Sequence, residues 1–173
     1  AFLEKELKPV CARVRSNLRK WPEYDKDLGP SEWTLSPSDH GFHNAIQRQD
    51  GRWVFVDFEY AGWDDPAKML ADACLHPGVP VPRSLRKPFM ERLLDRLDMD
   101  GRMAARLRAV YPIVGLKWCL IMLNEFIPIS TKRRTFAEGT VSLEQRREQQ
   151  LENARQKLGE VIQDLEDTDF IPG

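Results

Sequence analysis

Asp39, Asn44 and Asp57 are the residues of this chain whose types and spacing could do chemistry. Asp39 opens the run Asp39-His-Gly-Phe-His-Asn44, and Asp57 follows Asn44 by thirteen positions inside Trp53-Val-Phe-Val-Asp-Phe-Glu59. A positioned carboxylate can accept the proton of a hydroxyl. An amide oxygen and a second carboxylate can share one Mg²⁺, a hard cation that takes oxygen ligands. An Asp, four residues, an Asn, then an apolar strand ending in Asp is the spacing that phosphoryl-transfer sites use for a base and its metal. The connection between the halves strengthens the match. Asp50-Gly51 is a strong two-residue hairpin signal, because both central positions of a type I′ turn need positive φ. With that turn, Gln49 pairs with Arg52 and paired positions sum to 101. Asn44 then stands opposite Asp57, with Cβ atoms about 5 Å apart on one face of the ribbon.

Other residues near this set have plainer readings. Glu59 either supports the metal shell, faces a cationic substrate, or is an ordinary exposed residue after a strand. His40 and His43 form His-x-x-His, a zinc-like spacing, but Gly41 weakens a helix there and no third ligand is evident. One of these histidines can instead orient the loop. Trp33, Trp63 and Trp118 could line a pocket for a cationic amine through cation–π contact, with two of the three assigned to the core. Lys132-Arg133-Arg134 is a short basic cluster that reads as solvated surface.

The elements that must position these groups are mostly helical. Leu3, Leu7, Val10, Val14 and Leu18 recur at steps of three and four, which predicts an amphipathic helix over residues 2–20. Pro9 either kinks it or marks its first turn. A short extended piece, Thr34 to Ser36, leads into the loop. Trp53, Val54, Phe55, Val56 and Phe58 are apolar on both faces, so the hairpin is expected to be sandwiched inside the protein. Asp64 or Asp65 caps a helix with Pro66 at its first position. Further helices follow from Ser84, carrying Leu85, Phe89, Leu93, Leu94 and Leu97 and stopping near Gly101, and from Met103 to Phe126, bent at Pro112. Residues 128–141 read as a loop. Ser142-Leu-Glu-Gln145 is a capping box opening a last helix, with Leu151, Leu158, Val161 or Ile162, and Leu165 inward.

Composition bounds the class. The chain has 173 residues, enough for one domain, and its 42% hydrophobic content supports a core. A net charge of −1 argues against nucleic acid or anionic membrane as the main partner. No unbroken apolar run approaches the roughly 18 residues of a membrane span; the longest, Ile113 to Met122, is interrupted by Lys117. Cys11, Cys74 and Cys119 are odd in number and lie among apolar residues, so they read as buried thiols of a reducing, cytoplasmic compartment.

The segment from Ser36 to Asp72 resembles the aminoglycoside phosphotransferase and choline kinase-like superfamily. That family's pattern is His-Gly-Asp-Leu-His-x-x-Asn, an apolar strand, Ile-Asp-Phe-Glu, a Gly-containing loop and Asp-Pro before a helix. The matching stretches are Ser36-Pro-Ser-Asp-His-Gly-Phe-His-Asn44, Val56-Asp-Phe-Glu-Tyr-Ala-Gly62 and Asp65-Pro66. Three positions depart: Pro37 stands for the first His, Gly41 for the second with His43 displaced two further on, and Met69 for an Asp after Asp-Pro.

The resemblance implies a mainly α fold with a small β-hairpin, the C-terminal lobe of a protein-kinase-like fold. It would comprise a catalytic loop at 37–44, a metal hairpin at 44–59 and a helical subdomain at 65–166, forming one unit over 1–173. It implies ATP-dependent transfer of a γ-phosphate to a small-molecule hydroxyl. Asp39 would be the base, Asn44 and Asp57 the Mg²⁺ ligands, Ile46 part of the floor under adenine, and Glu59 or His43 supporting residues. The family's nucleotide lobe carries a sheet, a phosphate loop and a Lys. The 38 residues before Asp39 read as helix, and no Gly-rich phosphate loop is found. The expectation is an isolated lobe, inactive alone, whose missing partner lobe leaves an apolar face open to self-association. The alternative is a kinase-fold binding module without catalysis.

Overall fold

The computed structural model describes residues 1–39, 41–97, 101–127, 142–167 and 170–171. Helix makes up 64% of it and strand 8%, so the class is mainly α, with small two-stranded sheets. Helix α1 (Lys8–Leu18) follows a π-helical turn at Leu3–Leu7, and Pro9 lies in its first turn, where a missing N–H leaves no bond unmade. Helix α2 (Pro66–Leu75) starts where Asp65 Oδ1 accepts the Ala67 N–H at 2.9 Å. Asp65 is thus the cap, with Pro66 behind it in the preferred first position. Helix α3 spans Arg83–Arg96 and α4 spans Gly101–Met122, closed by a 3₁₀ turn at Leu123–Phe126. Helix α5 (Leu143–Glu166) opens on the reciprocal Ser142–Gln145 capping box.

Helix α4 is the axis of the packing, with α2 on one side and α5 on the other. The first contact buries Leu70, Cys74, Leu107 and Tyr111, joined by Met90 of α3. The second buries Leu116, Cys119, Leu158 and Val161, joined by Leu7 and by Val10 of α1. At Gly115 an added Cβ would lie 2.4 Å from Val161 Cγ2, so only glycine lets α4 and α5 approach this closely. The buried residues of α3 are Arg86, Met90 and Leu94; of the apolar residues named from sequence, Leu94 is buried, Phe89 and Leu93 pack half-buried against the core, and Leu85 is exposed. Arg86 can occupy the interior because its guanidinium donates to Val81 O at 2.8 Å and to Glu160 at 3.1 Å.

The segment Gly101–Phe126 is, by length and composition, long and apolar enough to cross a bilayer, with an 18-residue stretch of mean hydropathy 1.3. Reading for unbroken apolar runs missed this, because Lys117 interrupts the run without reversing its average. Its buried face belongs to the core just described. Cys74 and Cys119 are buried, whereas Cys11 is only half-buried, and all three are free thiols.

Of the strands, β1 contacts α2. Strand β1 (Thr34–Ser36) pairs antiparallel with β4 (Gly62–Asp64), Ser36 opposite Gly62. Strands β2 (Ala45–Gln47) and β3 (Trp53–Phe55) form the hairpin. Its register differs from the expected one. Ala45 faces Phe55, Ile46 faces Val54 and Gln47 faces Trp53, so paired positions sum to 100. The turn holds Gln49, Asp50 and Gly51 between Arg48 and Arg52; Arg48 N–H donates to Arg52 O at 2.8 Å, and Gly51 N–H to Arg48 O at 3.0 Å. Within this turn only Gly51 has positive φ, +81°. This is the longer loop with glycine at its left-handed position, an alternative that Asp-Gly serves as well as a two-residue turn. The carboxylate of Asp50 accepts from the Arg52 backbone and guanidinium, which lowers its pKa and closes the loop.

The hairpin is not sandwiched. Every residue from Gly51 to Tyr60 is exposed. The three tryptophans also differ from expectation: Trp33 and Trp63 are exposed, and Trp118 is half-buried against the core.

Candidate functional site

The pairing of β1 with β4 builds the site. The loop 37–44 leaves the end of β1 at Ser36, and the loop 57–61 enters β4 at Gly62, its partner. Both loops therefore emerge at one end of the same two-stranded sheet. Each carries a non-glycine residue in the left-handed region, Ser38 (φ 66°) and Asp57 (φ 65°). Such conformations cost on the order of 1–3 kcal/mol each and persist where surrounding bonds enforce them. At Ser38 the enforcing bonds are visible: Ser36 Oγ accepts the Ser38 N–H at 3.0 Å, and Asp39 N–H donates to Pro37 O at 2.8 Å.

Asp39 is the point on which the loop converges. Asn44 Nδ2 donates to the Asp39 backbone carbonyl at 3.0 Å. With its nitrogen so engaged, Asn44 presents Oδ1, the atom a hard cation would take. His43 Nε2 lies 3.1 Å from Asp39 Oδ1, and His76 Nε2 lies 3.3 Å from the same oxygen. The two imidazoles stack with centroids 3.8 Å apart and planes 7° from parallel. Glycines make this possible. A Cβ on Gly41 would sit 2.7 Å from His43 Nδ1, and one on Gly78 would sit 3.2 Å from His76 Nδ1. Gly41, which departs from the phosphotransferase pattern, therefore clears space for His43.

His76 caps the C-terminal end of α2. Behind it Trp118 presents its edge, with ring centroids 4.5 Å apart. Trp118 Nε1 in turn donates to the buried Asp72 Oδ1 at 3.0 Å, and Asp72 also pairs with Lys117 and Lys68. Burial, reinforced by the neighbouring His43 ring, holds the His76 pKa below its ordinary value, against the pull of Asp39 and Asp72. The neutral form of His76 is thereby favoured. A single buried charge cluster on α2 and α4 thus supports a ring that touches the loop carboxylate. Sequence offered only a weak pointer to this, a His just before Pro77-Gly78 where a helix must stop.

Asp39, His43 and His76 offer ligand atoms within 4.8 Å of one another, close enough to consider a transition-metal ion. The hydrogen bonding argues otherwise. Gly78 N–H donates to His76 Nδ1 at 3.1 Å, so the ring's proton resides on Nε2, the atom that would have to ligate. Metal-bound histidines present the opposite arrangement, with the second nitrogen donating outward. The zinc-like His40–His43 pair involves His40, outside the described residues, as do Lys132, Arg133 and Arg134.

The remaining candidates are on the exposed side. Asn44 is opposite Val56, whose N–H donates to Asn44 O at 2.9 Å, and not opposite Asp57. In a regular ribbon this one-residue offset would send the Asp57 side chain to the other face. Asp57, however, lies past the end of β3, where its left-handed backbone breaks the alternation. The donor set of Asn44 and Asp57, amide oxygen plus carboxylate, suits Mg²⁺; the register argument that paired them does not hold. Glu59 is exposed in the turn that the Ala61 N–H closes on Phe58 O at 3.0 Å. Ile46 is exposed on β2. A cavity of 680 Å³ lined by Phe2, Leu120, Phe126 and Leu151 lies elsewhere and does not include Asp39.

No family model, curated protein or solved structure matches this chain.

Proposed function

We propose that this chain is the catalytic lobe of an ATP-dependent phosphotransferase, with the C-terminal-lobe architecture of a protein-kinase-like fold, acting on a small-molecule hydroxyl. The observation that carries the reading is the convergence on Asp39: two imidazoles on one carboxylate oxygen and the Asn44 amide on its backbone carbonyl. No described residue bonds Asp39 Oδ2, which is therefore the oxygen for an acceptor proton. Asn44 and Asp57 would hold Mg²⁺, which when bound neutralises phosphate charge. Ile46 would lie under adenine, and Glu59 would support the metal or meet a cationic acceptor. The exposed apolar strands suit contact with a nucleotide-binding N-terminal lobe, or with a second copy in its absence. The Ser36–Asp72 motifs support the family assignment.

A non-catalytic kinase-fold binding module is the second reading. It is favoured by the offset that takes Asn44 away from Asp57. Turnover separates the two. Asp39→Asn, in the protein joined to a nucleotide-binding lobe, should reduce phosphoryl transfer by about 10²–10⁴-fold while nucleotide affinity stays constant. Turnover equal to wild type would remove Asp39 from this role.

A further inference from the structure

We propose that the exposed hairpin is a docking surface for a second copy of this chain. Two hairpins meet antiparallel about a two-fold axis, so that the basic tip of each reaches the acidic base of the other. The inference is independent of the phosphotransferase reading, because it uses only the charge and exposure of the ribbon.

Three observations converge. The first is the charge at the two ends. Arg48 and Arg52 form the last backbone pair before the turn and share one carboxylate, Asp50, so the tip is net positive. Asp57 and Glu59 follow the other end of β3, both exposed, and neither has an ion-pair partner among the described residues. The second is their separation. Arg52 and Asp57 are five positions apart, about 17 Å of extended chain, beyond the Debye length of about 8 Å at physiological salt. Tip and base of one ribbon therefore do not neutralise each other. The third is what lies between them. Ile46, Trp53, Val54, Val56 and Phe58 are each 38% to 56% exposed. Trp53, with the Phe42 ring set edge-on to it at 6.1 Å between centroids, is the kind of aromatic anchor on which interfaces depend.

A two-fold interface must be self-complementary, because the same patch is contributed by both copies. A ribbon with opposite charges at its ends and apolar side chains between them meets that condition when the copies run antiparallel. Placed parallel, tip would face tip and base would face base, with like charges opposed. The ribbon is short, so the buried area should lie at the low end of specific interfaces, below about 1,200 Å² in total, and the dimer should depend on concentration.

The experiment is analytical ultracentrifugation of the full 173-residue chain and two variants. Wild type should show a reversible monomer–dimer equilibrium that weakens as salt is raised, since the end-to-end charge pairs are screened. Arg48→Glu makes the tip net negative. Asp57→Asn with Glu59→Lys makes the base net positive, and asparagine tolerates the left-handed φ of 65° at position 57. Each variant alone should dimerise at least about tenfold more weakly, because every exchanged charge counts twice in a symmetric pair. Mixed one to one, the two variants should form a heterodimer: the acidic tip of one meets the basic base of the other, and the native contact remains at the opposite end. That rescue needs both chains folded, so it also controls for misfolding. Wild type that stays monomeric to about 1 mM would overturn the proposal and leave the ribbon to another partner, such as a nucleotide-binding lobe. Dimerisation unaffected by either variant, no heterodimer from variants of wild-type helical content, or open-ended assembly past the dimer would each overturn it as well.

Discussion

In α2, Pro66 to Leu75, eight of ten residues are buried; between Gly51 and Tyr60 none is. The apolar content of the two stretches is similar, so hydrophobicity does not account for the difference. Helix α2 has a partner, since Gly101–Met122 runs beside it and Leu70, Cys74 and Leu107 close the seam. The hairpin pairs with itself and no described element covers it. Val54, Phe55, Phe58, Tyr60 and Trp63 stay in solvent, Trp63 at 71% exposure. Exposed apolar side chains concentrated in this way mark a contact surface on a folded protein. The site lies on the boundary between these regions, its carboxylate on a loop from the exposed side and its support in the buried one.

The largest effect that would break this comparison is in the buried half. Leu70→Ala should destabilise the chain by about 2–5 kcal/mol, read as a shift in denaturant midpoint, because a fully buried methyl cluster leaves a cavity. A loss no greater than at an exposed hairpin residue would show that α2 is not the core helix. Gly115→Ala should come next, at about 1–3 kcal/mol, since Val161 cannot move away without opening the α4–α5 contact. Unchanged stability would mean that the close approach is not required.

The boundary should respond to pH. His76 is held below its ordinary pKa when folded, so the unfolded chain binds the proton more readily. Stability from this residue is retained above the unfolded value of about 6.5 and lost as pH falls from there through the folded pKa. The facing groups are His43, Asp39, Asp72 and Lys117. In the difference between wild type and His76→Gln, stability should therefore rise with pH across this window; a flat difference would refute it. The smallest effect should come from the exposed half. Val54→Ser with Phe58→Ser should leave the unfolding free energy within about 0.5 kcal/mol, while lowering self-association in sedimentation. A large loss of stability would mean that something covers the hairpin.

The sequence by itself determined the local structure. The Asp65-Pro66 helix start, the Ser142–Gln145 box, the strand before the loop and the existence of the hairpin all depend on neighbours within a few positions, where caps and turns act. The Asp39 loop was legible for the same reason, since Asn44 reaches back only five residues. Tertiary structure decided the rest. Asp-Gly serves two turn lengths, and the choice of the longer one moved Asn44 from Asp57 to Val56. Strand β4 is only Gly62-Trp63-Asp64, too short for alternation to reveal, and exists because β1 pairs with it. Arg86 took an interior position because Val81 and Glu160 were there to bond it. His76 joined Asp39 because α2, packed on α4, ends beside that loop. A spacing rule reads only contacts that the chain makes with its own near neighbours; contacts across dozens of residues depend on how helices pack, and packing is a property of the folded whole.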